Sequence, residues 1–147
     1  MKIAIVGSED KYWSHTQKAK AVLKIKELLD NISLHVGTIN MVMVSGGCPK
    51  GGVDIWAEVI ADSEDIKKEI HYPEVNQWND AVWVVDEGDD KFTNYRLQGY
   101  NSRNQNIAMS CDVLYCIDPK DRTHSGGRYT MVVAKELGKE VHLVEIE

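Results

Sequence analysis

Three times along this chain a short apolar run gives way to small residues and glycine, and a stretch with helical spacing follows. Lys2 to Val6 ends at Gly7-Ser8, Asn40 to Ser45 ends at Gly46-Gly47, and Val113 to Ile117 leads to Ser125-Gly126-Gly127. Runs of this kind suit strands buried on both faces, which need helices on either side to cover them. The segment from His15 to Ile32 places Val22, Ile25, Leu29 and Ile32 on one face, with Lys18, Lys20, Lys24 and Lys26 mostly elsewhere. After Gly51-Gly52, residues Val53, Trp56, Ala57, Ile60 and Ala61 repeat that spacing. Tyr100, Ile107, Ala108 and Cys111 share a helical face, and Tyr129 to Leu137 reads as a helix closed by Gly138. Glu69 to Tyr72 and Val141 to Ile146 complete the strands.

Strands alternating with helices imply right-handed crossovers. The expected fold is therefore α/β, a three-layer Rossmann-like domain with a mainly parallel five-stranded sheet, order 3-2-1-4-5. Residues 73–95 break the pattern and are read as an insertion. Within them Ala81 to Val85 fits strand or helix equally, and Asp86 to Asp90 interrupts what precedes it. A length of 147 residues suits one domain over 1–147, and 43% hydrophobic residues with 3 prolines suffice for a core.

Composition removes several classes of function. The longest apolar run is too short to cross a bilayer, and Met1 to Val6 is too short for a signal peptide, so a soluble, cytoplasmic protein is expected, with no membrane partner. A net charge of −6 counts against a broad nucleic-acid-binding surface. Cys48, Cys111 and Cys116 are odd in number and lack CxxC spacing, which reads as reduced packing cysteines. His15, His35, His71 and His142 form no metal-ligand spacing, and the Asp86 to Asp90 cluster lacks that of a calcium loop. Neither a metal nor a cofactor is expected.

In a sheet of this kind every strand delivers its following loop to one edge, where ligands bind. The loops at that edge are Gly7-Ser8, then Ser45-Gly46-Gly47 with Gly51-Gly52, then Ser125-Gly126-Gly127. Glycine admits close backbone approach, and a following helix presents unpaired amides, so phosphate is the natural guest. All 4 arginines, Arg96, Arg103, Arg122 and Arg128, fall between residues 96 and 128. Arg103 lies in a helix from which it can aim across the glycine loops, whereas Arg96 and Arg122 read as ordinary surface residues. His124 reads as a solvated loop residue. Tyr12 and Trp13, beside Gly7-Ser8, are the first choice for a clamp on a purine ring, and an exposed Trp78 or Trp83 would suit an interface between copies.

Several of these segments together resemble the SLOG superfamily. They are Val44 to Asp54, Arg103-Asn104 followed by Ile107-Ala108, Asp112-Val113-Leu114, and Gly126-Gly127 with Thr130 before Ala134 and Gly138-Lys139. That group joins the DNA-processing protein DprA, the LOG phosphoribohydrolases, small YspA-like proteins and sensor domains for nucleotide-derived signals. The resemblance implies a Rossmannoid sheet that binds a nucleotide or nucleotide-derived small molecule or, in the DprA branch, single-stranded DNA; together with an exposed Trp78 or Trp83 it also implies a homo-oligomer. By position, Ser45, Gly46, Gly47, Gly126, Gly127 and Thr130 would hold phosphate, Arg103 and Asn104 would touch phosphate or sugar, and Asp54, in the first turn after Gly51-Gly52, suits either a ligand contact or a helix N-cap.

One departure concerns catalysis. LOG enzymes carry a glutamate three residues beyond the threonine of their PGGxGTxxE motif, and here that offset from Thr130 falls on Val133. Valine cannot act as acid or base. Binding, as carrier or sensor, is the first reading. The alternative is N-glycosidic cleavage of a nucleoside monophosphate with Asp54, Glu58 or Glu136 as substitute carboxylates, and single-stranded DNA binding is a third.

Overall fold

In the computed structural model, residues 1–78, 82–88 and 91–147 are described. Five strands form one parallel sheet: β1 (Lys2–Gly7), β2 (Val42–Ser45), β3 (Lys67–Ile70), β6 (Val113–Pro119) and β7 (Glu140–Ile146), in the order β3-β2-β1-β6-β7. Counting only these strands, that is the 3-2-1-4-5 order read from the sequence. The remaining two, β4 (Val82–Gly88) and β5 (Lys91–Leu97), pair antiparallel as a separate hairpin. The ambiguous apolar run therefore resolves as strand from Val82 onward. Ala81, Asp89 and Asp90 lie outside the described residues, as do the side chains of Trp83, Tyr95 and Arg96.

The central strand explains the three layers. On β1, Ile3 and Ile5 face one side and Ala4 and Val6 the other, all nearly or fully buried. The first pair packs with Ala21, Ile25 and Leu29 of α1 (His15–Val36) and with Val53, Ala57 and Ile60 of α2 (Val53–Ser63). The second packs with Ile107 and Ala108 of α3 (Tyr100–Ser110) and with Ala134 of α4 (Gly126–Glu136). The small Ala4 and Ala108 on this second side let α3 and α4 approach the sheet closely.

Local signals set the helix ends. Ser14 caps α1 by accepting from the Gln17 amide at 3.1 Å while the Gln17 side chain accepts from the Ser14 amide, a reciprocal capping box. The helix runs beyond Ile32 to Val36 and stops at Gly37, whose φ is +83°. At α4, Ser125 accepts from the Arg128 amide at 3.0 Å. That cap starts the helix at Gly126, three residues before the expected Tyr129, so both glycines belong to its first turn.

The third strand is Lys67–Ile70, two residues earlier than expected. It is an edge strand whose pairing with Val42–Ser45 sets its position, and its exposed Lys67 and Lys68 give no apolar signal. The ladder continues one step, since the His71 amide donates to the Ser45 carbonyl at 2.9 Å. Among the described residues, no helix is long and apolar enough to cross a membrane. The three cysteines are unpaired, Cys111 and Cys116 being buried.

Candidate functional site

The strand ends deliver Gly7-Ser8, Asp118-Pro119 and the residues after Ser45 to one edge of the sheet. There a cleft is lined by Gly7, Ser8, Glu9, Lys50, Asp54, Trp78, Tyr100, Arg103, Asn104, Arg122, Gly126, Gly127 and Thr130, with Val6 and Ile107 at its base. Sequences far apart in the chain meet here because close backbone packing allows it. A Cβ at Gly127 would sit 2.7 Å from the Gly7 Cα and 3.3 Å from the Cys116 sulfur, so only glycine lets the start of α4 rest on the end of β1. Its neighbour Gly126 has more freedom, since a Cβ there meets the ring edge of Trp78 at 3.1 Å.

A buried aspartate ties the loops together. Asp118, at the end of β6, is fully buried and accepts from Ser8 Oγ at 2.8 Å, Ser125 Oγ at 2.6 Å and Arg128 Nε at 3.1 Å. The loop after β1, the cap of α4 and its first turn therefore share one anchor. A carboxylate buried this deeply is tolerated because one cation and two hydroxyls compensate it. Sequence reasoning passed over Asp118. Its signal was an acid at the end of an otherwise apolar strand, where strand alternation gives no reason for one.

Arg103 is buried on α3 and does reach the glycine loop. Its Nη1 donates to the Gly46 carbonyl and, at 3.4 Å, to the His71 carbonyl, while Nε donates to Asn104 Oδ1 at 2.9 Å. Asn104 in turn donates from Nδ2 to the Gly126 carbonyl at 3.5 Å, joining the arginine to the first turn of α4. The Thr130 hydroxyl is also engaged, donating to the Gly126 carbonyl at 2.7 Å.

Asp54 lies in the second position of α2, and Gly52 precedes the helix, so the N-cap reading of Asp54 is corrected. Its carboxyl lines the cleft while only 7% exposed. Burial pushes it up to about 6 from its ordinary 3.8; the Arg103 charge pulls it down, Glu58 adds to the rise and the Cys48 amide bond lowers it. Gly46 is needed beside this pair, because a Cβ there would meet Arg103 Nη1 at 2.5 Å and Asp54 Oδ2 at 2.7 Å.

The remaining sequence candidates stand behind or away from the cleft. Ser45 is buried and donates to Glu58 Oε2 at 2.7 Å, so both form a polar layer beneath it. Gly47, Gly51 and Gly52 all have positive φ and shape the turn between β2 and α2. Gly52 also packs on the backbone of Ser8 and Glu9. Ser125 caps α4 from the rim. Glu136 is exposed near the far end of α4, beside Met109 and Leu137, and takes no part in the cleft.

Four aromatic or basic residues also stand in other surroundings than the sequence suggested. Trp13 donates from Nε1 to the Ser8 carbonyl at 3.1 Å and stacks edge-on against Trp56 at 5.4 Å, flanking the core; it is no clamp. Tyr12 instead lies under Arg122, whose guanidinium carbon is 3.2 Å from the ring centroid. Arg122 and Trp78 both line the cleft, one expected on the open surface and the other at an interface. Trp78 is held there because Asn101 Nδ2 donates to its carbonyl at 2.6 Å and the Tyr100 amide donates to the Gln77 carbonyl at 2.7 Å. Its ring tilts against Tyr100 at 4.6 Å, and the residue as a whole is 54% exposed. Among the described residues no group of three or more His, Cys, Asp or Glu side chains is arranged to hold a metal ion.

Comparison with known proteins supports the architecture. No family model matches the chain, and no curated protein matches it. Among solved structures it is similar to the molybdenum cofactor carrier protein MCP from Chlamydomonas reinhardtii, with a TM-score of 0.60 and 18% identity over 97% of this chain and 74% of that one. At that identity the likeness concerns the fold.

Proposed function

We propose that this chain binds a phosphorylated small molecule, a nucleotide or a nucleotide-derived compound, in the cleft at the C-terminal edge of its sheet, as a carrier or sensor. The observation that carries the reading is the meeting of α4's first turn with Lys50, Arg103, Asn104 and Arg122 around one concavity. Free amides and a partial positive charge at a helix start favour an anion, and the basic side chains add to that field. Glu9 and Asp54 face the same space. Bare phosphate gains nothing from those carboxylates, whereas a ligand that also bears sugar hydroxyls has donors for them to accept. The exposed face of Trp78 supplies a surface for a planar ring.

A carrier role has its counterpart in the structural neighbour, which carries the molybdenum cofactor. The same reading places the chain with the SLOG superfamily its motifs resemble. In thermal denaturation with mononucleotides, dinucleotides and cyclic nucleotides, at least one should stabilise the protein, by about 2.7 kcal/mol at a hundredfold excess over its dissociation constant. Gly126→Asp should remove that stabilisation by placing a carboxylate where the anion sits. The substitution is sound for folding, because an acid in the first turn suits the helix dipole. Stabilisation by none of these compounds, or stabilisation that survives Gly126→Asp, would refute the site.

Asp54 supports a second reading, hydrolysis of the N-glycosidic bond of a nucleoside monophosphate. Water would add hydroxyl to the sugar C1′ and a proton to the departing base, giving ribose phosphate and free base. A carboxyl titrating near 6 in a cleft suits proton transfer near neutral pH. Chromatography after incubation with nucleoside monophosphates should then show free base from the wild type and none from Asp54→Asn. Absence of free base in both leaves the binding reading alone.

A further inference from the structure

The cleft is narrow. Its cavity volume is about 50 Å³, which at roughly 10–15 Å³ per water holds a few water molecules or one phosphate group. Any larger ligand must extend outward. An open depression of about 440 Å³, lined by Tyr12, Asp121, Arg122, Thr123 and His124, adjoins it, and Arg122 belongs to both.

The arginines with described side chains are used differently. Arg103 is engaged by the carbonyls of Gly46 and His71 and by Asn104. Arg128 is committed to Asp118, with Glu145 at 3.9 Å. Arg122 instead lies over the Tyr12 ring, where its side chain also hydrogen-bonds the Tyr12 hydroxyl and holds that phenol below its ordinary range, and its Nε is buried without a hydrogen-bond partner. Among the described residues it has no carboxylate within ion-pair distance, the Asp121 and Glu9 nearby being turned elsewhere or paired with Lys11. A guanidinium held over an aromatic face keeps its full charge, and the N–H groups not turned to the Tyr12 hydroxyl, for an oxyanion.

We propose that the ligand bears a second anionic group beside the first, as in a pyrophosphate, and that Arg122 holds it at the passage between the two cavities. The first phosphate occupies the cleft against Gly126-Gly127, and the rest of the molecule extends past Tyr12 toward Thr123 and His124. This deepens the phosphate-site reading and rests on it. The fork of Arg122 is the specificity-determining group, distinguishing a diphosphate from a monophosphate.

Calorimetric titration of the full chain with the adenine, guanine, cytosine and uracil nucleoside monophosphates and their diphosphates tests the assignment. For at least one base, the diphosphate should bind about tenfold more tightly than the monophosphate, equivalent to about 1.4 kcal/mol. Arg122→Gln should weaken the diphosphate about tenfold more than the monophosphate and so abolish that gain, while Arg122→Lys, which keeps charge without the fork, should retain part of it. Circular dichroism melts report whether the variants fold, and the wild-type comparison stands without them. Equal affinity for both phosphates in the wild type, or equal losses for both in Arg122→Gln, would overturn the role of Arg122 while leaving the phosphate site intact. Failure of every monophosphate and diphosphate to bind would overturn the site itself and this assignment with it.

Discussion

Asp54 shows how a single side chain couples the cleft to folding. Its carboxyl is pushed up to about 6 in the folded chain from an ordinary 3.8. Between those values the folded chain keeps a proton that the unfolded chain has released, so stability falls as pH rises through that window and the full cost stands above it. The difference corresponds to about 3 kcal/mol. Asp54→Asn has no such titration. Urea denaturation across that range should show the variant gaining on the wild type by about this amount as pH rises, whereas parallel curves would mean the carboxyl is not desolvated. Residues of this kind were only partly legible in sequence. Asp54 was named from motif position and Arg103 from its place on a helix facing the glycine loops, but their mutual proximity depends on the glycine at 46 leaving room. Asp118, Arg122 and Trp78 were not singled out as site residues, because burial and loop placement, which no spacing rule reports, put them at the cleft.

At the scale of elements, the two glycines that open α4 have different duties. Gly127 touches the backbone of β1, and Gly126 faces the movable ring of Trp78. Gly127→Ala should therefore cost about 1–3 kcal/mol by forcing strand and helix apart. Gly126→Ala should be neutral or stabilise by up to about 1 kcal/mol through helix propensity. Urea midpoints of the two variants give the comparison, and equal shifts would show that the close approach at Gly127 is not real. Strongly periodic elements such as α1 and α2 were readable because one face of each is continuously apolar. The start of α4 was missed because glycines carry no periodicity, although Ser125 before them was a readable cap. Strand β3 slipped by two residues because an edge strand with exposed lysines is positioned by its neighbour's hydrogen bonds rather than by its own pattern.

For the whole molecule, sheet order and the shared edge follow from the strand–glycine–helix alternation, since parallel crossovers leave few topologies open. What the alternation could not supply was the shape of the space between the loops. That shape depends on long-range contacts: Ser8 and Ser125 on Asp118, Arg103 on Gly46, and residues 74–78 held against Gln98 and Tyr100. The central claim is that these distant segments form one anion-binding cleft. Amide-resolved NMR during titration with the best-binding nucleotide tests it most directly. The account predicts that the amides of Gly7, Ser8, Gly126 and Gly127 and the Arg103 side chain shift together and saturate with one dissociation constant. Shifts that fail to saturate, or that cluster away from these residues, would contradict it.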